Sequence, residues 1–252
     1  MVSMTTKTPL IIPQWQAPKG VFAYCTTRLG GVSDSPFDSL NVGNHVGDES
    51  VRVRENRSRL PFASHIHWLN QTHSCDVIAL PSDQYDGDAS VSRDRQSFCA
   101  VMTADCVPVL LCDNDATVVA AVHAGWKGLA NGIIARTIAA MAIDAECLHA
   151  WIGPAISGPC YEVDIGMAAK FTEFPDAVLT HTHAEKCYLD LPLIAKQQCE
   201  QAGIRQVTSS HLCTYQQSSL FFSHRRACHE GISGTGRIVS VIGLSDADYS
   251  SL

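Results

Sequence analysis

The sequence predicts a single mixed α/β domain, of the α+β class, and three observations support this. Apolar runs of strand length alternate with segments of helical spacing along all 252 residues. No internal repeat, low-complexity linker or composition break separates them, so residues 1–252 read as one domain. The chain is long enough for a sizeable core, and 46% apolar residues against 17% charged ones is a globular balance.

The opening stretch MVSMTTKTPLIIPQW has one lysine and only a short apolar run before proline. No signal peptide is expected from it, and residues 1–14 are expected to be loosely ordered. Residues 21–27 (VFAYCTT) predict a strand, closed by Arg28-Leu29-Gly30-Gly31, whose glycines permit positive φ. Residues 33–48 are rich in Ser, Asp, Asn and Gly without a period, a long loop of the kind that carries function. Asp48 can cap a helix running to about Leu60, in which the cations of 52–59 read as a solvated face.

HIHWL alternates like a strand and is closed by Asn70-Gln71-Thr72-His73; residues 76–80 start another. Asp86-Gly87-Asp88 marks a turn before a short strand at 89–92. Two apolar runs, 107–112 and 117–124, are separated by the polar turn Asp113-Asn114-Asp115 and predict an antiparallel hairpin. A glycine-bracketed turn at 125–128 leads into a helix with apolar residues at 129, 130, 133, 134, 138 and 141. Trp151-Ile152 is a short strand entering the loop GPAISGPCYEV, and a helix over 165–174 ends at Pro175. The next helix starts at Asp190, with Pro192 in its first turn and Gly203 just past its end. Residues 204–208 predict a strand, 213–219 a short helix, 221–226 a strand end and 237–244 the last strand.

A net charge of −7 without clustered Lys and Arg excludes a nucleic-acid binder. No window approaches the roughly 20 apolar residues of a membrane span. The eleven cysteines form no Cys-x-x-Cys pair, and most lie in apolar segments (Cys99, Cys112, Cys147, Cys199). That usage predicts reduced thiols and a cytoplasmic protein.

The hairpin brings Cys106, at the start of its first run, and His123, at the end of its second, to one end. His73, in a turn after an apolar segment, is a third residue that can point there. Two imidazoles and a thiolate are three ligands of an open, catalytic zinc site. The same residues admit a Cys–His nucleophile pair, or no site at all, with a buried thiol and ordinary polar histidines. Copper chemistry of the laccase type fits poorly, since only two His-x-His pairs occur (His65/His67, His181/His183) and no His-Cys-His. Asp105, beside Cys106, is a candidate general acid/base or ligand-orienting group. Arg28, Asn41, Lys127, Arg225 and Arg226, in glycine-rich or strand-end contexts, are candidates for binding an anion such as phosphate. Cys160 is a candidate pocket residue.

The segments TTRLGGVS, DSLNVGNHVGD, WLNQTHSCDV, TADCVPVLL, AAVHAGWKG, IGPAISGPCYEV, FFSHRR and TGR occur in the order seen in the YfiH-like family, which the chain resembles over about residues 15–245. That family, long labelled polyphenol oxidase or laccase-domain, is described as purine nucleoside phosphorylase with adenosine deaminase activity. The resemblance implies a layered α-β-β-α fold with mixed sheets, related to Cys–His hydrolases, and a zinc motif falling on His73, Cys106 and His123. It implies phosphorolysis of adenosine, inosine and 5′-methylthioadenosine, deamination of adenosine, and nucleosides and phosphate as partners of a monomer or small homo-oligomer. A Cys–His amidohydrolase of peptidoglycan precursor editing and a copper-dependent phenol oxidase are the alternatives it carries. Two departures stand out. Lys127 replaces the usual Arg of HAGWRG and loses a bidentate fork, and His224 replaces the usual Tyr of FFSYRR.

Overall fold

The structure, a computed structural model, describes residues 9–246. In chain order its strands are β1 (Leu10–Ile11), β2 (Val21–Thr26), β3 (Ile66–His67), β4 (Val77–Leu80), β5 (Ala89–Ser92), β6 (Phe98–Thr103), β7 (Val107–Asp113) and β8 (Val119–Ala124). They continue with β9 (Leu148–Ile152), β10 (Glu162–Asp164), β11 (Val178–Leu179), β12 (Lys186–Leu189), β13 (Gln206–Ser209) and β14 (Ile238–Leu244). The α-helices are α1 (Ser50–Ser58), α2 (Trp126–Ala130), α3 (Ile133–Met141), α4 (Ile165–Ala168), α5 (Leu191–Gln201) and α6 (His224–His229).

Two mixed sheets form the centre. One has the order β1-β2-β14-β6-β3, the other β13-β9-β7-β8-β5-β4. The strands that line both sheets read as continuous apolar runs because both faces of each sheet are covered. Alternation along them sorts the layers. In β7, Leu110 and Cys112 face the other sheet, while Val109 and Leu111 face α3 and α5 through Ile134, Ile138, Ile194 and Ala195. In β2, Ala23 and Cys25 face the intersheet layer, and Phe22 and Tyr24 the outer one, with Leu40, Val42 and Leu60. The stack is therefore helix, sheet, sheet, and then the 40–62 region with α1, the layered α-β-β-α arrangement that the family resemblance implies.

The predicted hairpin forms, with Val107 opposite Ala124 and Cys112 opposite Val119, its second strand starting at Val119 rather than at 117. The predicted helix after it is broken in two at Gly132, whose φ of +82° a side chain rarely adopts. Asp190 caps α5 by accepting from the Leu193 N–H at 3.0 Å, and Gly203 follows its end at φ +103°.

Other expectations need correction. Of residues 1–14, numbers 1–8 lie outside the described residues, and Leu10–Ile11 pair antiparallel with Cys25 and Thr26 rather than lying loose. Asp48 does not cap α1; Glu49 stands at that position, and the Asp48 carboxylate instead accepts from Ser33 Oγ at 2.6 Å and Asn41 Nδ2 at 2.8 Å. Residues 213–219 form turns, and the expected strand end at 221–226 contains the start of α6, which Ser223 caps by accepting from the Arg226 N–H. The small sheet β10-β12-β11 has no clear sequence signal, because its strands are two to four residues long.

Candidate metal centre

Cys106 leads into β7 and His123 sits one residue from the end of β8, so the register alone places them together. His73 reaches the same end from the 70–76 loop, with its backbone in the left-handed region at φ +61°. One ligand atom from each of the three lies within 4.8 Å of the others. Cys106 Sγ is 3.9 Å from His73 Nε2. On a tetrahedral zinc a sulfur and a nitrogen ligand stand roughly 3.6 Å apart, so this pair is already close to the spacing a shared ion requires. His73 is exposed, Cys106 half-buried and His123 buried, which leaves an open side toward solvent.

Asp88 holds this arrangement, and it is fully buried. Its Oδ1 accepts from His123 Nδ1 at 2.7 Å and from the His73 N–H at 3.0 Å. Its Oδ2 accepts from the N–H groups of Ser74 at 2.6 Å and Thr72 at 3.2 Å. The His123 N–H also donates to the Asp88 carbonyl at 2.7 Å. One carboxylate thus fixes the turn that carries His73 and the tautomer of His123, whose Nε2 remains free to ligate. Burial alone would raise the Asp88 carboxyl, but the His123 imidazole and the Ser74 N–H pull it down to about 2. In the sequence Asp88 is marked only as part of the turn Asp86-Gly87-Asp88. Its signal was the position just before β5, whose pairing of Ala89 with Val122 sets Asp88 beside His123.

Without a metal, burial would raise the Cys106 thiol, yet the neighbouring His123 and His73 rings lower it to about 6. The Cys106 thiolate and Asp88 in turn raise His123 against its burial. Gly125 lines the group closely: a Cβ there would stand 3.0 Å from Cys106 Sγ and 3.0 Å from His73 Cδ2.

The remaining predicted residues have other partners. Asp105, at φ +98°, accepts at Oδ1 from Thr214 Oγ1 and at Oδ2 from the Arg225 N–H, both at 2.7 Å, tying α6 to the strand end that carries Cys106. Arg225 Nη1 donates to the Glu162 carbonyl, and its guanidinium lies over the Tyr161 ring. Arg226 is spent on the carbonyls of Thr214, Tyr215 and Phe221 at 2.6–2.8 Å. Arg28 pairs with Asp38 at 3.1 Å and donates to Ser218 O. The Asn41 amide is buried and bonded to Gly43, Asp48 and Arg237, so it acts as an internal brace. Lys127 is exposed beside Trp126, its Nζ 5.7 Å from the ring centroid. Cys160 lies by Ser157 and Cys213, and burial raises its thiol. The structure does not gather Arg28, Asn41 and Arg226 onto the His–Cys–His group as free anion contacts.

Among the described residues no other group of three or more His, Cys, Asp or Glu side chains converges as a metal site. The two His-x-His pairs have other contacts: His67 stacks on Tyr85, and His181 meets Glu162 at 3.2 Å.

Comparison with known proteins bears on this geometry. The family model described as multi-copper polyphenol oxidoreductase laccase matches residues 22–245. A Shigella flexneri protein named purine nucleoside phosphorylase YfiH is 41% identical over 244 residues, covering 93% of this chain and 98% of its own. A purine nucleoside phosphorylase of Pseudomonas aeruginosa is 38% identical, covering 94% and 98%. A crystal structure of a Neisseria meningitidis protein superimposes with a TM-score of 0.85 at 38% identity, covering 94% of this chain and 99% of that one.

Proposed function

The chain belongs to the multi-copper polyphenol oxidoreductase laccase family, and from its similarity to relatives named purine nucleoside phosphorylase we propose that it is a zinc-dependent enzyme of that activity. The observation that carries the reading is the convergence of His73, Cys106 and His123 on one open strand end, braced by Asp88, in a chain 41% identical to a protein named for that activity. The substrates are adenosine, inosine and 5′-methylthioadenosine, with deamination of adenosine to inosine as a second activity, in the cytoplasm. No helix among the described residues is long and apolar enough to cross a membrane.

The donor set favours zinc over copper. Three protein ligands with an open fourth position are the pattern of catalytic zinc. A blue copper centre adds a weak axial methionine to His₂Cys, and Met102, on the strand leading to Cys106, has its sulfur against Arg57 Nη2 at 3.7 Å. A laccase needs further copper ligands, and no second ligand cluster exists among the described residues. Bound zinc would supply Lewis acidity, polarising substrate atoms and making water a better nucleophile near neutral pH.

In phosphorolysis a phosphate oxygen forms a bond to C1′ while the bond from C1′ to the purine nitrogen breaks. The electron pair leaves with the purine, which takes up the proton of the hydrogen phosphate, so base and sugar 1-phosphate balance nucleoside and phosphate. The chain's part is to orient both reactants and exclude competing water. The test is product analysis from inosine and adenosine with and without phosphate. Phosphate-dependent hypoxanthine and adenine support the reading; bases released at equal rates without phosphate overturn it.

One observation favours a second reading, a Cys–His amidohydrolase. The lowered Cys106 thiol beside the raised His123 is the pattern of an activated nucleophile. That reading predicts activity that survives chelation and a covalent adduct on Cys106, whereas the zinc reading predicts neither.

A further inference from the structure

Arg57 and Arg237 hold positive charge partly away from water, with no carboxylate in contact among the described residues. Both are half-buried, and neither appears in an ion pair among the described residues. Arg57 Nε donates to the Val42 carbonyl at 2.9 Å, and its guanidinium carbon lies 3.8 Å from the Trp68 ring centroid. Arg237 Nη1 donates to the carbonyls of Thr235 and Gly236 at 2.9 and 3.0 Å. These neutral partners satisfy some N–H groups but supply no paired anion. The Cys106 thiolate and Asp105 act on Arg237 only without contact, and no negative group offsets the burial of Arg57. Burial accordingly lowers both groups, Arg57 to about 10. A partly buried cation without a counter-ion is costly and marks a place where an anion belongs.

The fold puts both arginines at the strand end that carries the metal cluster. Arg237 precedes Ile238, which pairs with Thr103 at the end of β6, two residues before Asp105 and three before Cys106. Arg57 reaches the same end through Met102, whose backbone is held on both sides by the Gln71 amide at 2.8 and 2.7 Å, two residues before His73. The 41–45 loop is fastened over them: Asn41 Oδ1 accepts from the Arg237 N–H at 2.9 Å, and Asn56 Nδ2 donates to the Asn41 carbonyl at 2.8 Å. Gly43 is needed there, since a Cβ would fall 2.8 Å from Arg237 Cγ. The loop ends with His45 exposed at the rim, where, after burial, the charges of Arg237, Arg57 and His123 act to lower it.

The geometry points to Arg57, Arg237 and His45 as the anion subsite of this centre, the place where inorganic phosphate is held for attack on the sugar. This rests on the phosphorolytic reading, and it replaces Arg28, Asn41 and Arg226, whose polar groups are already engaged, and Lys127, which stands in solvent. Arginine suits the task because its planar fork binds two phosphate oxygens at once. His45 supplies a further donor at the entrance.

The test uses the zinc-loaded full chain with inorganic phosphate as probe. Phosphate is expected to raise the Tm of the wild type and of Arg28→Gln above the value in chloride of equal ionic strength. The rise is expected to disappear in Arg57→Gln and Arg237→Gln, with phosphate KM up at least tenfold and nucleoside KM changed less than threefold. Arg237→Lys and His45→Gln, milder changes, carry the test if a Gln variant does not fold, with phosphate KM up at least threefold. The subsite is overturned if the wild type gains no phosphate-specific stability, or if these variants keep both the shift and the phosphate KM. A wild type that phosphate stabilises but that cleaves no nucleoside would instead overturn the phosphorolytic reading and leave the subsite standing.

Discussion

Replacing Asp88 by alanine removes one acceptor that four donors share: His123 Nδ1 and the N–H groups of Thr72, His73 and Ser74. Loss of a group that orients a metal-ligating histidine costs about tenfold to a hundredfold in metal affinity. That is roughly 1.4–2.7 kcal/mol. Here the same carboxylate also holds the His73 turn, so the upper end is expected. A separate cost falls on the metal-free fold: a buried donor left without a partner, as His123 Nδ1 would be, is worth about 1–3 kcal/mol, and the N–H groups of the more exposed 72–74 turn less. Asp88→Asn keeps the shape and one acceptor oxygen but turns an amide N–H₂ toward existing donors, so it is expected to lose zinc affinity with a smaller loss of stability. Zinc competition against a chromogenic chelator, beside urea unfolding of the metal-free protein, separates the two effects. If Asp88→Ala binds zinc within threefold of the wild type, the assignment of Asp88 as the brace of the centre is wrong.

Further outcomes follow from the same contacts. Gly125→Ala places a methyl 3.0 Å from Cys106 Sγ and His73 Cδ2, and is expected to lower zinc occupancy without unfolding the chain, as measured by metal content and circular dichroism. Metal-free protein treated briefly with iodoacetamide at pH 7 is expected to be modified at Cys106, held to about 6, and not at Cys25, Cys99 or Cys199, each pushed up to about 12 by burial. Zinc should protect Cys106, and peptide mass spectrometry reads both results. Thr214→Val removes a buried hydrogen bond to Asp105 and should lower stability by about 1–2 kcal/mol in urea unfolding. Asp190→Ala removes the α5 cap and should cost about 1 kcal/mol, a Tm shift of roughly 2–4 °C for a chain of this size.

The parts of this molecule that were legible in the sequence are those set by local pattern. The 107–124 hairpin, its Asp-Asn-Asp turn and the Asp190 cap each rest on residues close in sequence, and so does the meeting of Cys106 with His123. His73 was legible only as a candidate, because the turn that aims it is held by Asp88, fifteen residues away and without a helical or strand period of its own. Arg57 reads as part of a solvated face because the cations of its helix alternate with Val, Glu, Asn and Ser. Its inward position is decided by Val42, Trp68 and Met102, none of them near it in sequence. Phe221-Phe222 looked like a strand end because two aromatics outweighed the quieter signal of Ser223 as a helix cap. Asn41 and Arg226 are polar residues at structural joints, and residue type alone does not separate such joints from ligand contacts.

The central claim is that this chain uses a metal held by His73, Cys106 and His123 to cleave purine nucleosides with phosphate. The most direct measurement is hypoxanthine release from inosine by the purified protein, before chelation, after it, and after zinc is restored, each with and without phosphate. Release is expected to require phosphate, to fall at least a hundredfold on metal removal and to return with zinc alone. Hypoxanthine formed at the same rate without phosphate, or by the fully metal-free protein, would contradict it.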